Sequence, residues 1–471
     1  MTHLFPPTSR AFVDSDSTTQ TVLFPEIFSK AVVARLDQED SSSDGGAVLL
    51  QAADQRLGLS EALAECLRDP RQPGKLTHTQ LELLRQRIFG IALGYPDAND
   101  ARGLAEDPIH KLLLRRDPVE GEPLASQPTI CRFENGVGRV DLYRMSETLA
   151  DVVIERHRKR LRGRRVRRIT LDFDPTDDPT HGQQEFTFFH GYYDTYCYLP
   201  LLGTMVFDGE QEQYLICAVL RPGNSAAHVG LLAVLRRVLE RLWAAFPKAR
   251  IRVRLDGGFG APHVLDFLDE NGVEYVVGLG ATKPLKKRAA RRLGTARRLF
   301  RERKKTVPVY GETLHKTKTT WPHRRRVIFK AEVVQLPGRE PKDNLRFVVT
   351  NLRSSPQHVY RIYTDRGDAE NRIKELKNDL AIDRTSCSRF LANQLRVLLT
   401  AAAYVLMQEL RLRARHTDCA HAQVGTLRLR LLKLAAWVEV SVRRVVIHLP
   451  RAFPADASWL RIAGQLGAVP P

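Results

Sequence analysis

The segment ITLDFD at residues 169–174 determines how the rest of the chain is interpreted. Its alternation places Leu171 and Phe173 on one side of a β-strand and Asp172 and Asp174 on the other, so one face is apolar and the other acidic. Two strand-like stretches, one helical pattern and one further strand follow it, at residues 196–207, 214–220, 227–245 and 250–255. A succession of strands interrupted by a helix predicts an α/β domain.

The chain divides into four regions by composition and periodicity. Residues 1–45 are rich in Ser, Thr, Asp and Pro, and we expect a loosely ordered lead. Helical periodicity over residues 46–165 predicts a helical N-terminal domain, which either binds DNA or only packs against the remainder. The strand order over residues 166–385 is the one that a ribonuclease-H-like domain needs, with a β-rich insertion at about residues 278–355. Residues 386–471 are assigned to a mainly helical C-terminal region.

Positive charge dominates the composition. With Lys+Arg 73 and Asp+Glu 54, the 471 residues carry a formal net charge of +19 and have an isoelectric point near 9.9. Such an excess favours a polyanionic partner, nucleic acid above all. The densest cluster is RHRKRLRGRRVRR at residues 156–168, directly before the first strand of the α/β domain. Runs of this kind are usually solvated surface.

Other classes of protein are disfavoured. The six cysteines include no CxxC pair, so we expect reduced and mostly buried thiols. The N-terminus shows no secretory pattern. The longest apolar stretch, residues 398–407, is far shorter than the roughly 18 residues that a membrane span needs. We therefore expect a cytoplasmic protein with no membrane partner. The amphipathic helix at residues 389–415 is a candidate dimer interface and equally a candidate core helix.

Two aspartates occupy matching positions at the ends of predicted strands. Asp174 is followed by a Pro-Thr turn, and Asp256 is followed by two glycines. Either aspartate alone is more often a turn former or a helix cap than a ligand. Together they place carboxylates where two rigid elements end, as a site for hard divalent cations requires. Asp172 lies on the same strand face and is the alternative to Asp174 as first ligand.

A third carboxylate belongs to the segment YTDRGDAENRIKELK at residues 363–377. A helical repeat places four polar side chains on one face within an arc of roughly 60°: Tyr363, Arg366, Glu370 and Lys377. An adjacent apolar stripe would seat the helix on the sheet, through Ile373, Leu376 and Leu380. The simpler alternative is a solvated helix in which Glu370 pairs with Lys374.

The spacing Tyr-x2-Arg-x3-Glu-x6-Lys, with D-x-T at Asp174 and LDGGF at Asp256, resembles the bacterial insertion-sequence DDE transposases that carry the YREK signature. The resemblance covers roughly residues 125–380 and includes LASQPTICRFEN at 124–135 and THGQQE at 180–185. It implies a ribonuclease-H-like catalytic domain interrupted by a β-strand insertion. It also implies cut-and-paste movement of a DNA element bounded by terminal inverted repeats.

The resemblance implies roles for individual residues. The catalytic metal ligands would be Asp174, Asp256 and Glu370, holding two Mg²⁺ ions that Mn²⁺ can replace. The side chains that hold DNA phosphates at the transposon end would be Tyr363, Arg366 and Lys377. The implied partners are double-stranded DNA, at the terminal inverted repeats and at the target, and a second copy of the chain, because synapsis joins two ends. A bacterial cytoplasmic location follows from the same family.

Weaker signals lie in the predicted insertion. Trp321, beside Arg324, is a candidate for stacking on an unpaired base, with a core tryptophan as the commoner alternative. The basic residues 283–305 either follow a DNA backbone or form a solvated helix.

Two other functions remain open at this stage: a catalytically silent, domesticated DNA-binding protein, and a ribonuclease-H-like nuclease or resolvase without transposition. Three intact, converging carboxylates argue against the first, because their repulsion serves no purpose without a metal. Joining of a 3′-hydroxyl to new DNA would exclude the second.

Overall fold

The computed structural model describes residues 21–24, 26–317, 321 and 323–469. The first part of the chain contains three short strands: β1 (Thr21–Phe24), β2 (Val32–Arg35) and β3 (Ser41–Ser42). Seven α-helices follow: α1 (Val48–Leu57), α2 (Leu59–Ala64), α3 (Gln80–Leu93), α4 (Ala101–Leu104), α5 (Pro108–Leu113), α6 (Gln127–Gly136) and α7 (Arg139–Arg160). The helical periodicity of residues 46–165 is thus present in the fold. Most of the lead expected over residues 1–45, its first twenty residues included, is either outside the described residues or exposed.

The middle of the chain supplies most of the strands. Six come first: β4 (Arg168–Pro175), β5 (Asp178–Pro179), β6 (Phe188–His190), β7 (Thr195–Tyr198), β8 (Leu201–Phe207) and β9 (Tyr214–Val219). Helices and strands then alternate: α8 (Leu231–Ala245), β10 (Arg250–Leu255), α9 (Pro262–Glu270), β11 (Glu274–Leu279) and α10 (Lys283–Arg303). Three more strands follow: β12 (Val309–His315), β13 (Arg325–Val334) and β14 (Lys342–Thr350).

The last part is mainly helical. Its helices are α11 (Pro356–Thr364), α12 (Gly367–Lys374), α13 (Phe390–Arg413), α14 (Val424–Leu427) and α15 (Asp456–Gln465). A hairpin of β15 (Ala436–Val440) and β16 (Val445–His448) precedes α15 and takes up β3 as a third strand. The mainly helical C-terminal region therefore also contains a β-hairpin.

Eight strands form one mixed sheet in the order β12-β13-β14-β11-β10-β4-β8-β9. β4 pairs antiparallel with β8 and parallel with β10, which pairs parallel with β11. Ile169, Leu171 and Phe173 of β4 are fully buried, as the apolar face of the strand predicts. The mixed α/β architecture is confirmed, and the succession of three strands, a helix and a fourth strand is present as β4, β8, β9, α8 and β10.

Residues 196–207 form two strands where one was expected. β7 belongs to a small sheet of order β5-β7-β6, whereas β8 belongs to the main sheet. Leu199 and Pro200 separate them, and Pro200 lacks the N–H that a continuous ladder would need. The chain therefore changes sheets at this proline. The small sheet of β5, β7 and β6 lies beside the ends of β4 and β10.

Residues 278–355 extend the main sheet. α10 comes first and buries Leu285, Ala289 and Ala296 while its basic side chains stay largely exposed. Then β14 pairs with β11, and β13 and β12 continue the same sheet outward. The β-rich insertion is therefore a helix and three strands that share the sheet of the α/β domain, and β12 was not anticipated because its sequence VYGETLH alternates poorly.

Helix α13 is the core of the molecule. Within the described part of the chain, Phe390–His416 has the length and composition of a membrane span, but 83% of its apolar window is buried inside the protein. It contacts α3, α7 and β9, and one continuous buried cluster extends from Ala47 to Leu466. The dimer-interface prediction for this helix is wrong and the core alternative is right, because protein covers its surface on nearly all sides. The six cysteines are unpaired, and four are buried.

A buried ionic network joins α13 to the segment after α12. That segment is a π-helical turn, Glu375–Asp379. Glu375 Oε2 accepts from the Tyr404 hydroxyl at 2.6 Å and lies 3.0 Å from Arg372 Nη1, while Oε1 accepts from the Arg411 guanidinium. Arg411 also contacts Glu212 at 2.8 Å. Charges taken out of water are tolerated only with such complete pairing.

Substitution Glu375→Gln should lower the free energy of unfolding by about 3 kcal/mol, because it leaves buried arginines short of negative charge. Urea denaturation followed by circular dichroism measures the loss. The matched control is Glu240→Gln on the exposed face of α8, expected to change stability by less than about 0.5 kcal/mol. Equal losses in the two variants would contradict the network.

Asp178 makes the free energy of unfolding depend on pH. The carboxylate is fully buried and accepts 2.9 Å hydrogen bonds from Thr385 Oγ1 on both oxygens. Burial, with the charge of Asp383 adding to it, raises the pKa of Asp178 to about 8 from 3.8. Between these values the folded protein holds a proton that the unfolded chain has released. Stability contributed by this group is therefore greatest at acidic pH and falls as the pH rises toward 8.

Substitution Asp178→Asn removes this titration, so its stability relative to the parent should increase steadily between about pH 5 and 8. Urea midpoints at several pH values measure the difference. The exposed Asp456→Asn serves as the control for removal of a carboxylate elsewhere on the surface. Parallel pH curves for Asp178→Asn and the parent would show that burial of this carboxyl group does not perturb its titration.

Candidate active site

Asp174 and Asp256 lie side by side because of the strand register. In the parallel pair β4–β10, Arg254 is opposite Asp172 and Leu255 is opposite Phe173. Asp174 follows Phe173 and Asp256 follows Leu255, so the next position brings the two aspartates together. Side chains two residues apart on a strand share a face. Asp172 and Arg254 therefore lie directly below Asp174 and Asp256 on the same face of the sheet.

Asp172 is engaged in a buried ion pair. Arg254 Nε and Nη2 reach its two oxygens at 2.7 and 2.6 Å, and both side chains are nearly inaccessible. Arg254 Nη1 also donates to the carbonyl of Ile362 at 3.1 Å, which ties α11 to the sheet. A bidentate pair of this kind consumes both carboxylate oxygens. Asp172, the alternative first ligand, therefore has a structural contact here, and Asp174 is the carboxylate that reaches the open end of the strand.

Asp256 lies where the backbone of β11 closely approaches the turn that follows β10. Its Oδ1 accepts from Gly258 N at 2.9 Å and caps the turn Gly257–Phe259. Across from it, a Cβ at Gly278 of β11 would lie 2.7 Å from Gly257 N and 2.8 Å from the Tyr363 hydroxyl. Only glycine fits there. Gly278 was missed in the sequence, although a glycine inside an apolar strand is the usual signal of such an approach.

Arg366 connects the strand acids to the helix. Its Nη1 donates to Asp174 Oδ2 at 2.8 Å, and its Nη2 lies 3.9 Å from Glu370 Oε1. The Asp174 and Arg366 side chains are each 14% exposed, whereas Glu370 is 58% exposed. Glu370 is therefore at the mouth of the site and Asp174 at its base.

All three acids line one open cavity of about 510 Å³. Burial raises the pKa of Asp174 to about 6; Arg366 opposes the rise, and the charges of Asp256 and Glu370 add to it. These two carboxylates are thus close enough to disfavour ionisation of the first. The structure brings together the three acids that the sequence singled out, with Tyr363 and Arg366 beside them; burial and the charge of Asp256 raise the pKa of Tyr363 too.

Lys377 points elsewhere. The expected helix is broken after Thr364 and continues beyond Lys374 as a π-helical turn, so the 100° repeat does not hold throughout. Lys377 Nζ contacts Asp177 Oδ1 at 2.9 Å, outside the acid cavity, and Lys374 lines the cavity instead. The apolar stripe is as expected for Leu376 and Leu380, which are buried.

Trp321 is 4% exposed and packs edge-on against His315, with the Arg325 guanidinium 5.9 Å from its ring centre. No ring face is free for a nucleobase in this conformation, so the stacking role expected of Trp321 is not supported and the core alternative fits. Arg324 is exposed. The intervening residues of the loop, 318–320 and 322, lie outside the described part.

Sequence reasoning missed two further contributors to the cavity. Arg221, 4% exposed, donates to the carbonyls of Leu199 and Ala227 at 2.8 Å, and burial lowers its pKa to about 10. Its Nη2 has no acceptor among the described residues. The β6–β7 hairpin adds Tyr192 and Tyr193. Neither contributor belongs to a recognisable sequence motif, because only the folded chain brings these residues to the acids.

The donor set fits a hard divalent cation in its chemistry. Three carboxylates supply oxygen ligands, and a bound cation would offset both the burial and the neighbouring negative charges that raise the pKa of Asp174. The arrangement is not closed, however: among the described residues no three His, Cys, Asp or Glu side chains converge to hold a metal.

The two aspartates of β4 should respond differently to the same change. Asp172→Asn leaves Arg254 without its charge partner and should lower the free energy of unfolding by about 3–5 kcal/mol. Asp174→Asn relieves repulsion within the cavity and should change it by no more than about 1 kcal/mol. Urea denaturation compares them, and equal losses would mean that Asp174 also has a mainly structural part.

Comparison with known proteins gives a family. A search of curated proteins finds no match. Among solved structures, a piggyBac transposase synaptic complex with hairpin DNA, determined by cryo-electron microscopy, is 11% identical with a TM-score of 0.39, over 77% of this chain and 74% of that one. A similarity this low establishes nothing about the present chain. The family model described as transposase DDE domain group 1 matches residues 24–470, and the chain therefore belongs to the DDE transposases of this group.

Proposed function

We propose that this transposase cleaves DNA at terminal inverted repeats and joins the freed ends to target DNA, with Mg²⁺ bound by Asp174, Asp256 and Glu370. The observation that carries the proposal is the shared cavity of these three acids, in which burial, and after it the charges of Asp256 and Glu370, raise the pKa of Asp174. DDE transposases in general use divalent metal ions, and the carboxylate donors here suit Mg²⁺, with Mn²⁺ as a substitute.

Each acid has a distinct part in this proposal. Asp174 and Asp256 are the rigid ligands, because each is placed by a buried strand and Asp256 is further fixed by Gly258 N. Glu370 is the mobile one, since it is more than half exposed and must turn inward for all three to converge. Two metal ions would activate the attacking hydroxyl and neutralise charge on the leaving oxygen.

Arg366 changes partner in this proposal. Its Nη1 donates to Asp174 Oδ2 at 2.8 Å, and the guanidinium would bind a phosphate oxygen once Asp174 served as a metal ligand. The Tyr363 hydroxyl, beside Asp256, is placed to donate to the same phosphate region. Lys377 and Arg324 are proposed as more distant phosphate contacts, Lys377 after release from Asp177.

Synapsis of two ends requires two active sites, so we include a homodimer in the proposal. Its interface lies on a surface other than α13, which is buried within one chain.

The test uses DNA carrying the inverted repeats that flank the coding sequence, incubated with purified protein and Mg²⁺. The parent should nick or excise the element, and Asp256→Ala should reduce the cleavage rate by more than roughly 100-fold, beyond the loss expected for an outer partner of a metal site. The control is Asp365→Ala: Asp365 is exposed and lines a different cavity. It should cleave like the parent.

The products separate the alternatives. Cleavage by Asp256→Ala at the parental rate would refute the metal assignment. Cleavage without joining of the 3′-hydroxyl to new DNA would indicate a nuclease or resolvase, and binding without cleavage a silent DNA-binding protein.

A further inference from the structure

The basic run that precedes β4 lines a cleft far from the acids. The cleft, of about 1030 Å³, lies between the loop that leads from α7 into β4 and the loop that leads from α8 into β10. Leu161, Val166 and Phe246 form its nearly buried floor. Six cationic side chains and no acidic one line it: Arg158, Lys159, Arg162, Arg164, Arg165 and Lys248.

Most of these cations lack a counter-charge. Arg158 and Lys159 share Glu155, at 2.6 and 3.7 Å. Within the described residues, Arg162, Arg164, Arg165 and Lys248 form no ion pair, and all four are exposed. The C-terminus of α7 accounts for basic residues up to Arg160, because helix carbonyls attract cations there. It does not account for the loop arginines, nor for a lysine from another loop that faces them.

The place of the cleft in the fold restricts its partner. β4 and β10 pair from Arg168 and Arg250 onward, and the same two strands end at Asp174 and Asp256. Six residues at about 3.3 Å each separate the cleft from the acids by roughly 20 Å. A phosphate at the acids therefore cannot reach the cleft. A duplex that leads away from the acids needs at least roughly six base pairs to do so.

We propose that this cleft binds the phosphate backbone of double-stranded DNA inside the transposon end, at least about six base pairs from the cut. The cluster of exposed, unpaired cations without acids is complementary to a regular row of phosphates. The inference rests on the proposed function for the identity of the duplex, but the binding itself does not depend on cleavage.

The experiment measures binding of two terminal-repeat duplexes by fluorescence anisotropy with Ca²⁺, which permits binding without chemistry, over a series of salt concentrations. One duplex extends about 30 base pairs inward from the cut, and the other about 5, closed by a hairpin loop. The triple variant Arg162→Gln, Arg164→Gln, Arg165→Gln should lower the slope of log affinity against log salt by about 2–3 for the long duplex. It should leave the slope for the short duplex unchanged.

Two controls keep the result interpretable. Arg443→Gln, Arg451→Gln, Arg461→Gln removes the same charge from exposed positions elsewhere and should leave both slopes as in the parent. Lys248→Gln, from the other loop, should lower the long-duplex slope by about 1, which tests the cleft even if the triple variant does not fold.

An unchanged long-duplex slope, or an equal change for both duplexes, would overturn the proposal. If the parent binds the long duplex through this cleft but cuts neither substrate with Mg²⁺, the proposed function fails and the cleft stands. If the parent cuts its DNA substrate and the substitutions leave the salt slopes unchanged, only the proposed role of the cleft is refuted.

Discussion

The ion pair between Asp172 and Arg254 determines the geometry of the whole site. Two charges buried between adjacent strands are stable only when their hydrogen bonds match, and here the match is bidentate at 2.6 and 2.7 Å. That match allows one register of β4 against β10. Because side chains on a strand repeat every two residues, this register also sets Asp174 beside Asp256. The third bond of Arg254, to the Ile362 carbonyl, extends the constraint to α11.

The helix that carries Glu370 is held from two sides. Arg254 fixes the end of α11 on the sheet, and Glu375 anchors the turn after α12 to α13 through Tyr404 and Arg411. α12 lies between these anchors, with Glu370 more than half exposed. The site thus combines two acids on a rigid sheet with one exposed carboxylate, Glu370, whose side chain can turn on a helix that is anchored at both ends.

Charge is distributed unevenly along the central strands. Their carboxyl ends lead into a cavity of acids, which would repel DNA unless cations neutralise it. At their amino ends lies a cleft whose charged lining residues are all cationic. The net charge of +19 therefore does not show that acidic side chains gather at one end of these strands and basic side chains at the other. Under the proposed function, the basic cleft would bind a polyanion while the acidic cavity would act at one phosphate.

Several features could be derived from residue patterns. Alternation in ITLDFD and the strand at residues 250–255 set the sheet core, because a period of two residues is a local property. The helical spacing from residue 363 pointed to Tyr363, Arg366 and Glu370 as neighbours of the aspartates. The same spacing failed for Lys377, since a break at residues 365–366 and a π-helical turn change the repeat.

The sequence by itself determined β4, β10, the acids and the basic run, all of which depend on short periodicities and on side-chain chemistry. Tertiary structure alone decided which aspartate of β4 faces the open cavity, because the partner of Asp172 is 82 residues away. It also decided that α13 is core, and that Arg221 and the β6–β7 hairpin reach the acids. Distant pairings of this kind depend on burial and on the satisfaction of charges across the sheet, and no local pattern encodes them.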